Sequence, residues 1–176
     1  MHFYDALGLA PKLSLDAEDL KKRFYERSRE WHPDRFSRRS PEEQKKSLEM
    51  TAVLNDAFRT LRDPVSRTEY FLGERGLPPT QTPPPELLEE VFDLNMAIEE
   101  LRGGNDTARP QLADAHKRFL RMRQEIDEGL SDLFQRYDVS EQPATLSEIR
   151  AALDRRRYVS NLLRDVEKEL NVDVAN

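Results

Sequence analysis

The stretch REWHPDRFSRR, residues 29–39, places a proline at the end of a charged segment that has the pattern of a helix. That segment, residues 16–31, carries three apolar side chains on one helical face: Leu20, Phe24 and Trp31. Pro33 lacks a backbone N–H and disfavours helical geometry in the residue before it, so we expect the helix to end there. The tripeptide HPD, residues 32–34, can be a helix terminator, part of a metal or catalytic site, or a contact for a partner.

The metal and catalytic interpretations of the tripeptide lack support elsewhere in the chain. His2, His32 and His116 are scattered, and no pair of them has metal-ligand spacing on one helix. There is no cysteine, which excludes thiolate ligands and a cysteine nucleophile. An acid–base pair of His32 and Asp34 would need a cleft with a substrate pocket, which two packed helices do not supply. We therefore predict no enzyme activity, no metal and no cofactor.

Composition and charge exclude several further classes of protein. Of the 176 residues, 37% are hydrophobic and 35% are charged, which favours a heavily solvated helical protein. The net charge of −6 argues against a chain that coats nucleic acid, and no apolar run approaches the roughly 20 residues that span a membrane. The opening MHFYDALGLAP lacks the basic start and long apolar stretch of a signal peptide. We expect a cytoplasmic protein, with a processed mitochondrial form as the alternative.

A proline-rich segment divides the chain into two folded parts. Five prolines fall within GLPPTQTPPPE, residues 76–86, where they keep the backbone extended and remove hydrogen-bond donors. We predict a first domain over residues 1–75, a linker over 76–85 and a second domain over 86–176. No stretch shows the alternation of a strand, so the predicted fold class is all-α.

The first part is predicted to contain an antiparallel helical hairpin with two short helices. We expect helices near residues 3–8, 16–31, 41–62 and 67–74. Asp16 suits the N-cap of the second helix, and Pro41 suits the first turn of the third. Apolar residues of the third helix are expected to face the second: Leu48, Leu54, Phe58 and Leu61.

The second part is predicted to be a three-helix bundle. Its first helix has a seam of apolar residues at alternating four- and three-residue spacing: Leu87, Val91, Leu94, Ile98 and Leu101. A long helix follows with apolar residues at seven-residue intervals: Leu112, Phe119, Ile126 and Leu133. The last helix supplies a third seam: Val159, Leu163, Val166 and Leu170.

The first bundle helix carries more apolar residues than its seam requires. At 100° per residue from Leu87, three further apolar side chains point roughly 100–180° away from the seam; they are Leu88, Phe92 and Met96. Acidic residues border this ridge: Glu89, Asp93 and Glu100. An apolar ridge with an acidic rim, facing away from the core, is typical of a protein-binding surface.

The first helix of the chain opens on FYDALGL, the HPD tripeptide stands between two helices, and a further set of residues follows: Asn55, Ala57, Leu61, Asp63, Pro64, Arg67 and Tyr70. In these residues the first part of the chain, residues 1–75, resembles the J-domain family of co-chaperones. The resemblance implies that the HPD loop docks on a DnaK-type chaperone in its ATP state and stimulates hydrolysis. The implied docking residues are those of the loop and of the basic face of the preceding helix: His32, Pro33, Asp34, Arg35, Lys21, Lys22, Tyr25 and Arg29.

The first part of the chain contains the segments HPDRF, LRDPVSRTEY and FLGERGL, and the predicted bundle follows it. These segments and the order of the two parts resemble the HscB-type iron–sulfur co-chaperones. The resemblance implies that the first bundle helix binds the iron–sulfur scaffold protein. The positions that carry over are Leu88, Phe92, Asp93, Met96, Glu100 and, from the last helix, Tyr158.

Three functions are consistent with these residues. The first is an iron–sulfur co-chaperone that engages a DnaK/HscA-type ATPase and delivers the scaffold protein. The second is a general J-domain co-chaperone whose bundle holds another client. The third is a nucleic-acid binder that uses the basic helix for recognition, but the net negative charge and the lack of a second basic stripe argue against it.

Overall fold

A computed structural model describes residues 2–170, and the regular structure within them is entirely helical. Its α-helices are α1 (Phe3–Leu7), α2 (Ala17–Glu30), α3 (Pro41–Arg62), α4 (Pro64–Gly73), α5 (Leu88–Arg102), α6 (Arg109–Ser140) and α7 (Pro143–Leu170). Short 3₁₀ turns occupy Pro33–Phe36, Pro85–Leu87 and Asp106–Ala108. The predicted all-α fold class is confirmed.

The chain forms two compact units. One unit extends to Pro78 and includes Tyr137–Ser140 from the end of α6. The other comprises Pro79–Arg136 and the chain from Glu141 onward. Residues 171–176, which the sequence assigns to the bundle, lie outside the described residues.

Side-chain caps set the helix boundaries of the first unit. The Asp16 carboxylate accepts from the Asp19 N–H at 2.7 Å and begins α2. Ser40 and Glu43 form a capping box at the start of α3, and the hydrogen bond from the Ser40 N–H lowers the pKa of the Glu43 carboxyl. Asp63 caps α4, so this helix begins at Pro64 rather than at the predicted residue 67. A proline in the first turn after a capping aspartate explains the earlier start.

Two residues of α4 that match the J-domain family, Arg67 and Tyr70, connect this helix to α3 and α1. Arg67 is buried and donates to the Leu61 carbonyl at 2.9 Å, which closes the corner between α3 and α4. Burial lowers the pKa of this guanidinium. The Tyr70 hydroxyl accepts from the Phe3 N–H at 3.0 Å, and the two rings stack with centroids 4.6 Å apart. These residues therefore have structural roles.

All but one of the residues predicted to hold the α2–α3 hairpin are buried or half-buried. Leu20, Leu54 and Leu61 are buried, and the Phe24 and Phe58 rings stack with centroids 4.3 Å apart. The prediction for Leu48 is wrong, because its side chain is 60% exposed.

The neighbour of Leu48, Ser47, takes the inward position instead. The Ser47 side chain is fully buried, and its hydroxyl donates to the Trp31 carbonyl at 2.7 Å. One residue corresponds to a rotation of about 100° on a helix, so only one of the two neighbours can face α2. The end of α2 presents a carbonyl that needs a donor, and serine supplies it where leucine cannot.

We expect Leu48→Ala to change the free energy of unfolding by no more than about 0.5 kcal/mol, because the side chain packs little. The matched change Leu54→Ala, at a buried position of the same helix, should cost about 2–5 kcal/mol. Urea unfolding followed by circular dichroism measures both. A loss above about 2 kcal/mol for Leu48→Ala would contradict the rotation of α3 described here.

The bundle of the second unit has the core that the three seams predict. Its buried residues include Leu87, Leu94, Ile98, Leu112, Phe119, Val159, Leu163 and Val166. The remaining seam residues of this core are partly buried against it: Val91, Leu101, Ile126 and Leu170. Late in α6 the seven-residue interval fails, since Leu133 is half-buried while Leu130 and Phe134 are buried. A helix with 3.6 residues per turn drifts by about 20° per heptad, which explains the shift.

A buried ionic network on α7 holds the second half of the proline-rich segment. Asp154 accepts from Arg150 at 2.9 Å, and both side chains are buried. The same carboxylate accepts from the backbone N–H and the hydroxyl of Thr80, at 3.3 and 2.8 Å. Arg157 donates to the Thr80 carbonyl at 2.5 Å. The segment predicted as an extended linker is thus anchored to the bundle at Thr80.

Candidate functional site

The HPD residues form a short 3₁₀ turn at the end of α2. His32 is its N-cap, with extended backbone geometry, and its Nδ1 accepts from the Asp34 N–H at 3.3 Å. Pro33 fixes the first position of the turn, and the Arg35 N–H donates to the His32 carbonyl at 2.9 Å. His32 therefore helps to hold the turn through its side-chain hydrogen bond.

The Asp34 carboxylate stands at the tip of this turn. Its side chain is 91% exposed, and the His32 ring lies 3.6 Å from one of its oxygens. The backbone around it is already ordered by the bonds of His32, Pro33 and Arg35. A carboxylate on an ordered turn can meet a cationic group of another protein with little additional loss of conformational entropy.

Aromatic and cationic side chains support the turn on both sides. The Phe36 ring stacks on the Trp31 indole with centroids 5.7 Å apart and planes within 1° of parallel. The Lys46 amine lies 5.6 Å from the centroid of the same indole. Arg35 donates from its guanidinium to the Arg29 carbonyl at 3.3 Å, so its charge is held beside the end of α2.

The predicted basic face of α2 is exposed to solvent. Lys21, Lys22, Tyr25 and Arg29 are all exposed. The arginines on the other side of α2 have acidic partners on the same helix, Arg23 with Asp19 and Arg27 with Glu30. None of the ion pairs found within residues 2–170 involves the side chains of Lys21, Lys22 or Arg29. These three charges are available to an acidic partner surface.

The predicted apolar ridge of α5 is also exposed. Leu88 is 55% exposed, Phe92 65% and Met96 46%, whereas the seam residues Leu87, Leu94 and Ile98 are buried. Asp93 and Glu100 are exposed along the same helix, and so is Glu89. A stripe of large apolar side chains that is exposed to solvent and bordered by carboxylates is unusual unless a partner covers it.

Tyr158 differs from the other predicted residues of this surface. Its ring is half-buried against the bundle core, and its hydroxyl donates to the Gln81 carbonyl at 2.9 Å. The Arg157 guanidinium lies 5.4 Å from the ring centroid. Tyr158 therefore has a structural role at the anchored segment, and its participation in partner binding stays a prediction.

A groove of about 400 Å³ between α5 and α6 adjoins the ridge. Met96 stands in its lining with Asp93 and Glu100, and α6 contributes Asp114 and Arg118. Arg118 is paired with Glu90 at 2.6 Å. The sequence offered no signal for this groove, because it depends on which face of α6 packs against α5.

Neither a metal centre nor a membrane-spanning segment is found in the part of the chain that the structure describes. No group of three or more histidine and carboxylate side chains in residues 2–170 could hold a metal ion. None of the helices there is both long enough and apolar enough to cross a bilayer.

Comparison with known proteins identifies both units. The DnaJ domain matches residues 2–70, and the HscB C-terminal oligomerisation domain matches residues 83–167. The co-chaperone protein HscB homolog of Vibrio vulnificus strain CMCP6 is 33% identical over 140 residues, which cover 75% of this chain and 81% of that protein. The chain belongs to the HscB family of co-chaperones.

Other HscB proteins extend the match over nearly the whole chain. The homolog from Vibrio vulnificus strain YJ016 is 29% identical over 171 residues, 95% of each protein. The structure of the chaperone HscB from Vibrio cholerae has the same fold, with a TM-score of 0.66, 22% identity and coverage of 98% and 99%. Human co-chaperone protein HscB also matches with a TM-score of 0.66, at 23% identity, covering 96% of this chain and 82% of that one.

Two features of this HscB-family chain were missed by reasoning from the sequence. Ser47 and Phe36 support the HPD turn, yet a lone serine in a charged helix and a phenylalanine in a loop give no periodic signal. Thr80 anchors the proline-rich segment, although its surroundings predict an extended linker. For Ser47 and Thr80, a contact between residues distant in sequence decides the role.

Proposed function

We propose that this HscB-family co-chaperone acts in iron–sulfur cluster assembly. Its J-domain stimulates the ATPase of a DnaK/HscA-type chaperone through the HPD turn, and α5 of the bundle holds the iron–sulfur scaffold protein as client. The protein acts by contact and performs no chemistry of its own. Its location in the cytoplasm is part of the same proposal.

The observation that carries the chaperone half is the exposed Asp34 carboxylate on an ordered turn. At 91% exposure it makes no packing contribution that would explain its place in the chain. The side chains of His32, Phe36 and Arg35 all serve to hold the turn around it. A structure that orders a turn and leaves its one carboxylate in water is suited to presenting that carboxylate to a partner.

The basic face of α2 supplies the first attraction to the chaperone. Lys21, Lys22 and Arg29 are exposed cations on a protein whose net charge is −6, so they form a local patch of opposite sign. Such a patch accelerates association with an acidic surface and orients the encounter. Tyr25, half exposed among these charges, adds an amphipathic contact.

The ridge on α5 supports the client half. Leu88, Phe92 and Met96 present a row of apolar side chains, and Asp93 and Glu100 can pair with cations at its edge. Apolar residues at the centre with charges at the rim are the usual arrangement of a protein-binding hot spot. That the client is the iron–sulfur scaffold protein rests on the family resemblance.

A pull-down with the immobilised full-length protein tests both halves together. In the presence of ATP, we expect it to retain a DnaK-type chaperone and the iron–sulfur scaffold protein. The double change Lys22→Glu and Arg29→Glu should reduce retention of the chaperone and leave the scaffold bound, because the altered charges lie on α2. Raising the salt concentration should weaken chaperone retention by the wild type similarly, since exposed charge pairs are screened within about 8–10 Å at physiological ionic strength.

A matched control reverses charge elsewhere on the first unit. Lys45→Glu alters an exposed lysine of α3, outside the basic face, and should leave chaperone retention unchanged. If neither raised salt nor the double change Lys22→Glu and Arg29→Glu reduced retention of the chaperone, docking through this face would be contradicted. Retention of the chaperone without the scaffold would favour a general J-domain co-chaperone with another client.

A further inference from the structure

A buried hydroxyl on α3 holds the start of the HPD turn. Ser47 is fully buried, and its Oγ donates to the Trp31 carbonyl at 2.7 Å. Thr51 lies 3.3 Å from the same oxygen but bonds more closely, at 2.9 Å, to the Ser47 carbonyl of its own helix. The last carbonyls of a helix lack partners within it, and Pro33 has no N–H to offer. Ser47 is therefore the main donor to the peptide that joins Trp31 to His32.

The far end of the turn is fixed to the same residue. Phe36, at the end of the turn, stacks on the Trp31 indole. Trp31 therefore contacts the turn through its ring, while its carbonyl accepts the hydrogen bond from Ser47. The four residues between these contacts include the whole HPD tripeptide. A rotation of the Trp31–His32 peptide would swing the Asp34 carboxylate, because Pro33 transmits the direction of the chain rigidly.

We propose that Ser47 is a positioning residue for the HPD turn, which sets the direction of the Asp34 carboxylate without touching the chaperone. Its burial excludes a direct contact with a partner surface. This inference rests on the proposed function, since the turn is taken to act on a DnaK-type ATPase. It adds a residue outside the tripeptide and outside the basic face to those on which stimulation depends.

Positioning predicts a particular kinetic signature. The basic face of α2 brings the chaperone to the J-domain, and the turn acts within the complex that results. Loss of the Ser47 hydroxyl lowers the fraction of docked complexes whose turn has the productive geometry. Ser47→Ala should therefore reduce maximal ATPase stimulation by roughly three- to tenfold, the effect of one lost hydrogen bond. The co-chaperone concentration that gives half of the maximum should change by less than about twofold.

Single-turnover ATPase assays of a DnaK-type chaperone, titrated with the full-length protein, measure both quantities. Thr68→Val is the matched control: Thr68 is fully buried in α4, and its hydroxyl donates to the Pro64 carbonyl of the same helix at 2.7 Å. This variant also loses one buried hydroxyl of the first unit, and it should stimulate like the wild type. If Ser47→Ala unfolds, Phe36→Leu removes the stacking contact at the other end of the turn and should give the same signature.

Hydrogen exchange of the Arg35 amide tests the positioning without any chaperone. This N–H donates to the His32 carbonyl across the turn at 2.9 Å, and it should exchange faster in Ser47→Ala than in wild type or in Thr68→Val. Unchanged exchange, or an equal loss of stimulation in Thr68→Val, would overturn the proposal. So would a change in the half-maximal concentration with an unchanged maximum. Absence of stimulation by the wild type, with Arg35 exchange altered as expected, would instead count against the proposed function alone.

Discussion

Asp34→Asn is expected to abolish stimulation of the chaperone ATPase and to leave the fold of the co-chaperone intact. The side chain is 91% exposed at the tip of its turn, and surface substitutions of this kind usually change stability by less than about 0.5 kcal/mol. Asparagine keeps the shape of aspartate and removes its charge. A loss of ATPase stimulation in a folded variant would therefore come from a lost interaction between this carboxylate and the chaperone. Single-turnover ATPase rates and thermal unfolding of the same preparation measure the two outcomes.

The control for Asp34→Asn is the same substitution at another exposed aspartate of the first unit. Asp56 lies on α3 in an exposed ion pair with Arg59, which contributes at most about 1 kcal/mol. Asp56→Asn should stimulate the ATPase as the wild type does. Full stimulation by Asp34→Asn would remove the basis for assigning the HPD turn to the chaperone. Loss of stimulation in both variants would indicate a requirement for net charge rather than for this carboxylate.

The helices of this protein could be predicted closely because local chemistry determines where they begin and end. Asp16, Ser40 and Asp63 each cap a helix through their own side chains, and Pro33 ends α2 through its missing N–H. The sequence predicts the start of α4 three residues late, because Pro64 has the pattern of a helix interruption, whereas in the structure it occupies the first helical position. Signals contained within four residues of sequence are readable without the fold.

The polar contacts between elements could not be predicted in the same way. Ser47 meets Trp31 across 16 residues, and Thr80 meets Asp154 across 74. Hydrophobic periodicity favours leucine over serine at an inward position, so it predicts Leu48 at the core position that Ser47 occupies. A buried hydroxyl or carboxylate is stable only when its partner is present, and that partner belongs to another element of the fold.

In the candidate site, too, the features set by local sequence could be predicted and the contacts between elements could not. The exposure of the α2 cations and of the α5 ridge could be derived from helical phase, which needs only the sequence. The exposure of Asp34 follows from its place in a loop after the proline that ends α2. The family resemblance assigns Tyr158 to the client surface, and in the structure its hydroxyl donates to the Gln81 carbonyl. The groove beside Met96 depends on the packing of α5 on α6 and had no counterpart in the sequence.

The triple change Leu88→Ala, Phe92→Ala and Met96→Ala should separate the client surface from the bundle core. All three side chains are about half exposed or more, so their truncation should barely change the melting temperature. If they form a binding hot spot, affinity for the iron–sulfur scaffold protein should fall by about 4 kcal/mol, or roughly a thousandfold in Kd. Phe92 is the most exposed of the three and the expected anchor. Calorimetric titration and thermal unfolding measure the two effects.

Two controls fix the interpretation of the triple variant. Leu120→Ala removes an exposed apolar side chain from α6 and should leave stability and scaffold affinity unchanged. Leu94→Ala, a buried seam position of α5, should cost about 2–5 kcal/mol of stability. ATPase stimulation without scaffold should survive in the triple variant, because it depends on residues of the other unit. A melting temperature lowered as far as that of Leu94→Ala would place the ridge in the core. Unchanged affinity at unchanged stability would leave the ridge without a role in scaffold binding, and would favour a co-chaperone with a different client.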